Sequence, residues 1–442
     1  MRKRSGKRQK SELLLAIVCA AAVSVTGCGN EPEAKAQEEE TEKLTICVNG
    51  DFEHFAESVA EDWLKWEDGM EVEIVSIPTD ATLAETRVSN IRTQLMAGEG
   101  PDIFLMQCSV DTDNEEKPEL FSNLGKTMYS QVFLPLDDYI ENAEYMDPEG
   151  WNQTIMDVGK TGEGQVILPI AYTYRAYAFR TADLQQPESV PASWEEFVNT
   201  QEQAIWENME TTPPDTVLAY TFGELADCEQ GKLLFSEETM QARVEEILAW
   251  QDSIRQSRKT MPEGSGISPV ATGNADGEFW NQVTMASGEE ETVFGLPNDA
   301  GGVTAYVTAF AAINRNTKYT EQAFALLDFI FSDEVMCKTG FPTEDPVKRY
   351  GGGFAPPGML GIPTHQAAAQ SMFRNDTVRG LFEKVENSIS HVRFYSNLDK
   401  EIYWMKYRCD GWDREDHSLP TAEERQEIVH ETYEKMKMQM AE

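Results

Sequence analysis

The chain has 442 residues, with 77 acidic side chains against 37 basic ones and a formal net charge of −40 at pH 7. This charge excludes a nucleic-acid binder, which needs clustered Lys and Arg, and it disfavours anionic ligands by long-range repulsion. The length predicts two or three domains, and a hydrophobic content of 40% is enough for ordinary cores.

The first 27 residues have the order of a bacterial export signal. Six of the residues from 2 to 10 are Lys or Arg, and residues 13–25 form an apolar stretch. This stretch is too short to span about 30 Å of hydrocarbon as a permanent helix, so we predict a cleaved signal peptide over residues 1–27.

Cys28 follows small residues in a pattern that resembles the lipobox of bacterial lipoproteins. The resemblance implies cleavage ahead of Cys28, which would become the first mature residue and carry acyl chains such as palmitate. This predicts a lipid-anchored protein on the extracellular face of the cell membrane. Cleavage without a lipid is the alternative.

Residues 28–43 are predicted to be an acidic tether, because residues 31–43 contain no aromatic or branched apolar side chain. Removal of residues 1–27 would leave a net charge of about −45. After Cys28, five cysteines remain, odd in number and never in a CxxC pair, which predicts free thiols without a disulfide framework or a zinc site: Cys47, Cys108, Cys228, Cys337 and Cys409.

Strands and helices alternate from Leu44 onward. Residues 44–48, 72–77 and 103–106 are predicted strands, and residues 82–96 are helical by composition. Another helix is predicted where apolar and aromatic residues recur every three or four positions: Phe52, Phe55, Val59, Trp63 and Trp66. This order predicts an α/β fold with a mostly parallel sheet covered on both faces.

Later segments carry helix signals. Ser193 is a predicted N-cap, with Glu196 closing a capping box, and Thr320 is predicted to cap a helix with one apolar face. Another helix is predicted to start at Ser332. Residues 421–442 are predicted to form a charged surface helix, and the run Gly351-Gly352-Gly353 marks a loop.

Several landmarks stand in an order that resembles extracellular solute-binding protein family 1, the sugar-receptor class of ABC importers. IRTQLMAGEGPDIFLM (residues 91–106) is similar to the family's helix, Gly-x-x-Pro-Asp turn and strand, and LPLDDYI (134–140) to its Pro-Leu-Asp-Asp segment. VPASWEEF (190–197) and residues 294–336 resemble later family segments. The region before Trp280 departs from the family's Gly-x-x-Ala-Met pattern, which leaves the ligand class open.

The resemblance implies a two-lobed periplasmic-binding-protein-like fold, each lobe a mostly parallel sheet flanked by helices, with a hinge between lobes. We expect the chain to cross near Pro169 and to return near Gly302. Lobe 1 would hold residues 44–168 and 302–354, and lobe 2 would hold residues 169–301 and 355–442.

The implied function is binding without catalysis or a cofactor. A monomer would capture a neutral carbohydrate, most simply an oligosaccharide, by lobe closure and deliver it to ABC permease subunits. A secreted lipoprotein enzyme acting on polysaccharide is the second hypothesis, and a peptide or polyamine receptor is a third. No G-x-S-x-G or P-loop is present in the sequence.

A sugar receptor needs aromatic plates for C–H faces and hydrogen-bonding groups for hydroxyls. The resemblance places Trp280 in the cleft wall, alternation points Tyr172 and Tyr174 the same way in the crossing segment, and Asp51 follows the first strand at its carboxyl end. Tyr306 and Tyr395 are further candidates on the same grounds. For the aromatic residues core packing is the competing interpretation, and for Asp51 a solvated turn.

A metal site is not predicted. Asp111 opens a segment like a calcium loop, but Glu116 stands where the loop needs Gly and Ser122 where it needs Glu. The five His residues show no HExxH or paired spacing.

Overall fold

The computed structural model describes residues 42–49, 52–66, 70–108, 118–187, 190–200, 218–259, 269–286, 290–338, 361–373 and 375–441. The predicted signal peptide, Cys28, Asp51, the segment after Asp111 and the glycine run at 351–353 lie outside these residues. Within them, no helix has both the length and the apolar character needed to cross a membrane.

The described residues form thirteen strands. In chain order they are β1 Lys43–Asn49, β2 Glu71–Ile77, β3 Ile103–Gln107, β4 Lys160–Thr161, β5 Gly164–Gln165, β6 Leu168–Arg180, β7 Ala226–Asp227, β8 Lys232–Leu233, β9 Ala271–Asn274, β10 Glu291–Gly295, β11 Val303–Ile313, β12 Ile362–Pro363 and β13 Ile389–Phe394.

The same part of the chain contains fourteen α-helices. They are α1 Phe52–Trp66, α2 Ala81–Met96, α3 Leu124–Met128, α4 Asp137–Ile140, α5 Gln153–Met156, α6 Trp194–Val198, α7 Glu237–Arg258, α8 Gly277–Ala286, α9 Thr320–Ile330, α10 Asp333–Lys338, α11 Gln366–Ser371, α12 Asp376–Glu386, α13 Asn397–Cys409 and α14 Ala422–Ala441.

The first three strands form the predicted α/β unit. β1 pairs in parallel with both β2 and β3. On one face of this sheet Ile46 packs with Phe52 of α1, and on the other face Cys47 packs with Val88 of α2. The apolar face of α1 is buried, with Phe55 and Trp63 at most 3% exposed. Burial of each such side chain stabilises the fold by roughly 1.5–3 kcal/mol.

Two long strands join different parts of the sheet. Residues 168–172 of β6 pair with β11 and β12, whereas residues 175–180 of the same strand pair with β9 and β10. β11 pairs with β13 through residues 303–307 and with β3 through residues 309–313. Each strand therefore changes partners near its middle, close to Tyr172 in β6 and Thr308 in β11.

The α/β class is confirmed, and the sheet is mixed. The parallel pairings within the large sheet are β1 with β2, β1 with β3, and β11 with β13. β6 and β11 run antiparallel to each other and to most of their other neighbours, which reduces the parallel share below the sequence-based expectation.

The start of α6 lies at the predicted residue, but its capping box differs from the prediction, because Glu196 accepts from Ala192 and not from the N-cap residue Ser193. Ser193 caps α6 by accepting the backbone N–H of Glu196, while the Glu196 carboxylate accepts that of Ala192 at 2.9 Å. The prediction for Thr320 is wrong by one residue, because Tyr319 occupies the N-cap position of α9 and makes no side-chain cap.

The tail helix α14 is only partly a surface helix. Val429 and Met436 are fully buried in the same core cluster as residues of α7 and α13. The charged residues of this helix therefore predicted its solvent-exposed face correctly. The narrow apolar face that packs into the core was not recognised from the sequence.

Candidate functional site

The middle of β6 carries two of the predicted ligand residues. Tyr172 and Tyr174 are two positions apart in the strand and belong to the same core cluster, with exposed fractions of 1% and 0%. They lie where β6 exchanges its partners: Tyr172 is opposite Ile362, and the Tyr174 carbonyl accepts the backbone N–H of Ala275 at 2.7 Å. Both tyrosines are therefore held in the part of β6 where its strand partners change.

Trp280 reaches the same cluster from α8. Its ring is 1% exposed and makes edge-to-face contacts with Phe279, Phe373 and Phe382, with ring centroids 5.2–5.5 Å apart. The Asp276 carboxylate accepts the backbone N–H groups of Glu278 and Phe279, which fixes the start of α8. The indole is accordingly packed like a core side chain in this structure.

A carboxyl group and an amide complete this region. Glu386 is the last residue of α12, and Asn152 is the N-cap of α5. The Asn152 side-chain amide donates to Glu386 Oε2 at 2.8 Å and to the Tyr172 hydroxyl at 3.4 Å. We call Asn152, Tyr172, Tyr174, Trp280 and Glu386 the crossing cluster.

Three polar atoms of the crossing cluster are buried and lack a hydrogen bond of normal geometry to any described residue: Tyr174 Oη, Trp280 Nε1 and Glu386 Oε1. The indole is nevertheless close enough to Tyr174 to lower the pKa of its hydroxyl. An unsatisfied buried polar group costs about 1–3 kcal/mol. Several such groups close together indicate a place where a bound polar molecule can supply the missing hydrogen bonds.

Burial sets the ionisation of the crossing cluster. Burial raises the pKa of Glu386 to about 7, and hydrogen bonds from Tyr172 and Asn152 partly oppose that rise. The pKa values of Tyr172 and Tyr174 lie well above the ordinary value, first because of burial and second because of the Glu386 charge. Both phenols therefore keep their protons near neutral pH and can donate hydrogen bonds.

Tyr306 and Tyr395 belong to a different cluster from the other predicted residues. The buried Tyr306 hydroxyl donates to Asp399 Oδ1 at 2.8 Å and accepts from the Arg393 guanidinium, which also lies over the Tyr306 ring. The Tyr395 ring centroid is 6.1 Å from that of Tyr306. The structure thus brings three predicted residues, Tyr172, Tyr174 and Trp280, into one cluster and places Tyr306 and Tyr395 in another.

A cavity of about 320 Å³ opens next to Arg393. Its lining comes from α3 and Tyr129, from β4 and β7, and from β13 and the first turn of α13. The charged side chains of this lining are Lys160, Glu224, Asp227, Arg393 and Asp399, and Tyr129 adds an aromatic ring.

Asn152, Glu386, Arg393 and Asp399 were not predicted from the sequence. None lies in a recognisable motif, and Asn152 and Glu386 are 234 positions apart. One sequence pattern does point to Asp399. Ser396 precedes it by three residues, which is the spacing of a capping box. That box is present, with the Asp399 carboxylate accepting the Ser396 backbone N–H at 2.9 Å.

Within the described residues there is no group of three or more His, Cys, Asp or Glu side chains that could hold a metal ion. The five cysteines predicted to be free form no disulfide bonds in the structure. Cys47 and Cys409 are buried, and the other three are half-buried.

Comparison with known proteins defines the family. The model of the bacterial extracellular solute-binding protein family matches residues 65–340. No curated protein sequence matches the chain.

Similar solved structures share the fold at low identity. A family 1 extracellular solute-binding protein from Alicyclobacillus acidocaldarius is 12% identical, with a TM-score of 0.53, 91% of this chain and 99% of that one covered. A periplasmic oligogalacturonide-binding protein from Yersinia enterocolitica is 13% identical, with a TM-score of 0.53 and coverages of 90% and 99%. CpMnBP1 with mannobiose bound is 12% identical, with a TM-score of 0.51 and coverages of 88% and 99%.

These solved proteins are two-lobed solute-binding proteins, and the chain has the α/β architecture that they share. The family match covers more than half of the sequence, from the last turn of α1 to just beyond the end of α10. The chain belongs to the bacterial extracellular solute-binding protein family.

Proposed function

We propose that this protein is a lipid-anchored receptor that captures a neutral carbohydrate, most simply an oligosaccharide, and delivers it to an ABC permease. The crossing cluster is the observation that carries the proposal. It combines aromatic rings with buried donors and an acceptor that make no hydrogen bond of normal geometry among the described residues.

The chemistry of the cluster suits a polyhydroxylated ligand. Tyr174 Oη and Trp280 Nε1 offer hydrogen-bond donors, and Glu386 Oε1 offers an acceptor. The indole and phenol rings supply apolar faces for sugar C–H groups. A sugar hydroxyl both donates and accepts, so one hydroxylated ring could satisfy groups of both kinds.

Charge favours a neutral ligand. The chain carries a net charge of −40, and Glu386 adds a carboxyl group at the cluster itself. An acidic sugar would meet long-range repulsion from the protein and local repulsion from ionised Glu386. The Yersinia enterocolitica protein binds an oligogalacturonide, so an acidic saccharide belongs in the test as the opposing case.

Transport requires that the ligand change the protein. We propose that residues 44–168 with 302–354 and residues 169–301 with 355–442 form two lobes joined through β6 and β11. A ligand that contacts both lobes stabilises only the closed state, which the permease could then recognise. Residues 1–27 would direct export, and Cys28 would hold the receptor at the membrane.

A thermal-shift screen of residues 44–442 tests this function. The panel is glucose, galactose, cellobiose, mannobiose and digalacturonate. We expect at least one neutral saccharide to raise the midpoint, because a ligand that binds only the native state adds RT ln(1 + [L]/Kd) to stability. Failure of every neutral saccharide, with a shift from digalacturonate alone, would overturn the neutral-sugar assignment.

The enzyme hypothesis has its own readout. Purified protein incubated with soluble polysaccharides should release no reducing ends above a heat-denatured control. Hydrolysis that scales with protein concentration would replace the receptor with a secreted polysaccharide-acting enzyme.

A further inference from the structure

We infer that two segments of the protein form a clasp, which holds the two proposed lobes together before any ligand binds. One segment is residues 119–126, which lead into α3 and belong to proposed lobe 1. The other comprises the first turn of α13 and the last turn of α14, both in proposed lobe 2. The inference rests on the two lobes of the proposed function and does not depend on which ligand they hold.

The lobe 1 segment is fixed to its own lobe. The Phe121 ring contacts the Phe104 ring of β3, with centroids 5.3 Å apart. The Arg92 guanidinium of α2 donates to the backbone carbonyls of Glu119 at 2.6 Å and Leu120 at 3.0 Å. This segment should therefore move together with β3 and α2.

The last turn of α14 is fixed to proposed lobe 2. Met436 and Met440 are buried in one cluster with residues of α7 and α13. The Glu401 carboxylate of α13 lies 2.7 Å from the Lys435 ammonium and accepts from the Gln439 side-chain amide at 3.2 Å. Because each segment is held by its own lobe, contacts between the segments form only when the lobes are close.

Lys126 crosses from α3 to the end of α14. Its Nζ donates to the Gln439 backbone carbonyl at 3.1 Å. The last carbonyls of a helix lack intrahelical partners and carry partial negative charge, so a cation is favoured at this position. A cation of proposed lobe 1 thus occupies the negative end of a helix in proposed lobe 2.

A second set of contacts joins the lobe 1 segment to α13. The Glu119 carboxylate lies 2.9 Å from the Lys400 ammonium, and the Asn397 backbone N–H donates to the Ser122 carbonyl at 2.9 Å. Burial raises the pKa of Glu119, and the Lys400 charge opposes that rise. This ion pair is therefore less hydrated than an exposed surface pair, and water screens its attraction less.

The two proposed lobes also approach each other at Gly125 and Cys228. A Cβ added at Gly125 would lie 3.0 Å from Cys228 Sγ. This is about the distance from Cβ of one cysteine to Sγ of the other across an S–S bond of ~2.04 Å. Gly125→Cys is therefore placed to form a disulfide bond with Cys228 when the clasp is closed.

The clasp gives the closed arrangement a population before ligand arrives. The apparent Kd of a ligand equals its intrinsic Kd divided by the fraction of protein in the competent state. A larger closed fraction therefore means tighter apparent binding. Glu119 and Lys126 would act as positioning residues, through the arrangement of the lobes.

Two thiol reactions measure the closed and open fractions of the full chain without ligand. Oxidation of Gly125→Cys with diamide should join residues 125 and 228, as peptide masses would show, at a rate set by the closed fraction. Alkylation of half-buried Cys228 by iodoacetamide, in protein that keeps Gly125, should follow the open fraction. The ratio of the two rates reports closed over open protein, and the thiolate fraction of Cys228 cancels in it.

Glu119→Gln combined with Lys126→Met weakens the clasp at two of its contacts. We expect this double variant to lower the ratio about tenfold, because it loses an ion pair and a charge-assisted hydrogen bond between the lobes. Glu431→Gln combined with Lys437→Met is the matched control, since both of its ion pairs lie within α13 and α14 of proposed lobe 2. The control should keep the wild-type ratio.

Alkylation alone decides the question if Gly125→Cys does not fold. Burial raises the pKa of Cys228 to about 11 and the Lys126 charge opposes this rise, so loss of that charge would by itself slow alkylation. Faster alkylation of Cys228 in the clasp double variant, with that of half-buried Cys337 unchanged, would support opening of the clasp. Equal or slower alkylation would overturn it.

The outcomes separate the clasp from the receptor. Equal rate ratios in wild type and the clasp double variant, or no disulfide between residues 125 and 228 in folded Gly125→Cys protein, would overturn the clasp and keep a receptor that binds a neutral saccharide. A ratio that falls only in the clasp double variant, in protein that binds no neutral saccharide, would keep the clasp and overturn the receptor.

Discussion

Glu386 is the side chain of the crossing cluster that titrates nearest to neutral pH. Its pKa is raised from the ordinary 4.5 to about 7, so the folded protein retains a proton that the unfolded chain releases. The resulting stabilisation is present below about pH 4.5 and is lost as the pH rises to about 7. Glu386→Gln keeps an oxygen that can accept a hydrogen bond from Asn152. It has no carboxyl group, so it avoids the cost of a buried negative charge at higher pH.

We therefore predict that Glu386→Gln gains stability relative to wild type as the pH rises from 4.5 to 8, by on the order of 1–3 kcal/mol. Denaturant titrations of both proteins across this range measure the difference. Glu383→Gln, an exposed carboxylate of the same helix, is the control. A pH-independent difference between Glu386→Gln and wild type would contradict the burial of this carboxyl.

Trp280 is predicted to matter for both packing and binding. Its ring is 1% exposed among Phe279, Phe373 and Phe382, so Trp280→Ala should lower the free energy of unfolding by ~3–5 kcal/mol. If the indole also contacts a sugar, the folded fraction should bind roughly thirtyfold more weakly, or about 2 kcal/mol. Full affinity in the folded fraction would remove Trp280 from the site.

The sequence anticipated part of this cluster. Alternation along one strand placed Tyr172 and Tyr174 on the same side, and the family resemblance pointed to Trp280; the structure brings the three together, while their role in binding stays a prediction. Glu386 and Asn152 could not be found, because their proximity depends on the packing of α12 against distant segments. Tyr306 and Tyr395 joined a separate cluster for the same reason.

Two glycines near α12 and β11 should respond oppositely to the same substitution. Gly380 lies inside α12, and an added Cβ would meet no atom within 4 Å. Gly302 has φ of +96°, and an added Cβ would lie 2.5 Å from the Ser388 carbonyl oxygen. We predict that Gly380→Ala stabilises the protein by roughly 0.5–1 kcal/mol and that Gly302→Ala destabilises it by more than that.

Unfolding midpoints of the two alanine variants check this prediction. Equal shifts of the same sign would contradict the backbone conformation at Gly302, since Gly302, unlike Gly380, combines a left-handed φ with a close backbone contact.

Elements with strong local signals were predictable. The three- and four-residue spacing of α1 and the short apolar runs of β1, β2 and β3 give these elements within one or two residues. The mixed sheet was not predictable, because strand direction in β6 and β11 is decided by which distant strands they join. The buried face of α14 was hidden because charged residues dominate its composition.

The anchoring of the entire chain is tested at Cys28. Cys28→Ser removes the thiol that would receive the lipid, so we predict accumulation of unprocessed precursor and loss of labelling by a fatty-acid probe. Cys228→Ser, which changes a cysteine of the folded domain, should mature and label as wild type does. Unchanged maturation and labelling of Cys28→Ser would contradict lipid anchoring.

Capture of a neutral saccharide at the crossing is tested most directly by calorimetric titration of wild type and Tyr174→Phe with cellobiose and mannobiose. Phenylalanine keeps the buried ring and removes only a hydroxyl that has no hydrogen bond of normal geometry within the described residues. We predict a one-to-one complex in wild type, about tenfold weaker binding by Tyr174→Phe, and no loss of stability in the variant. Equal affinities, or no binding of either saccharide by wild type, would contradict the account.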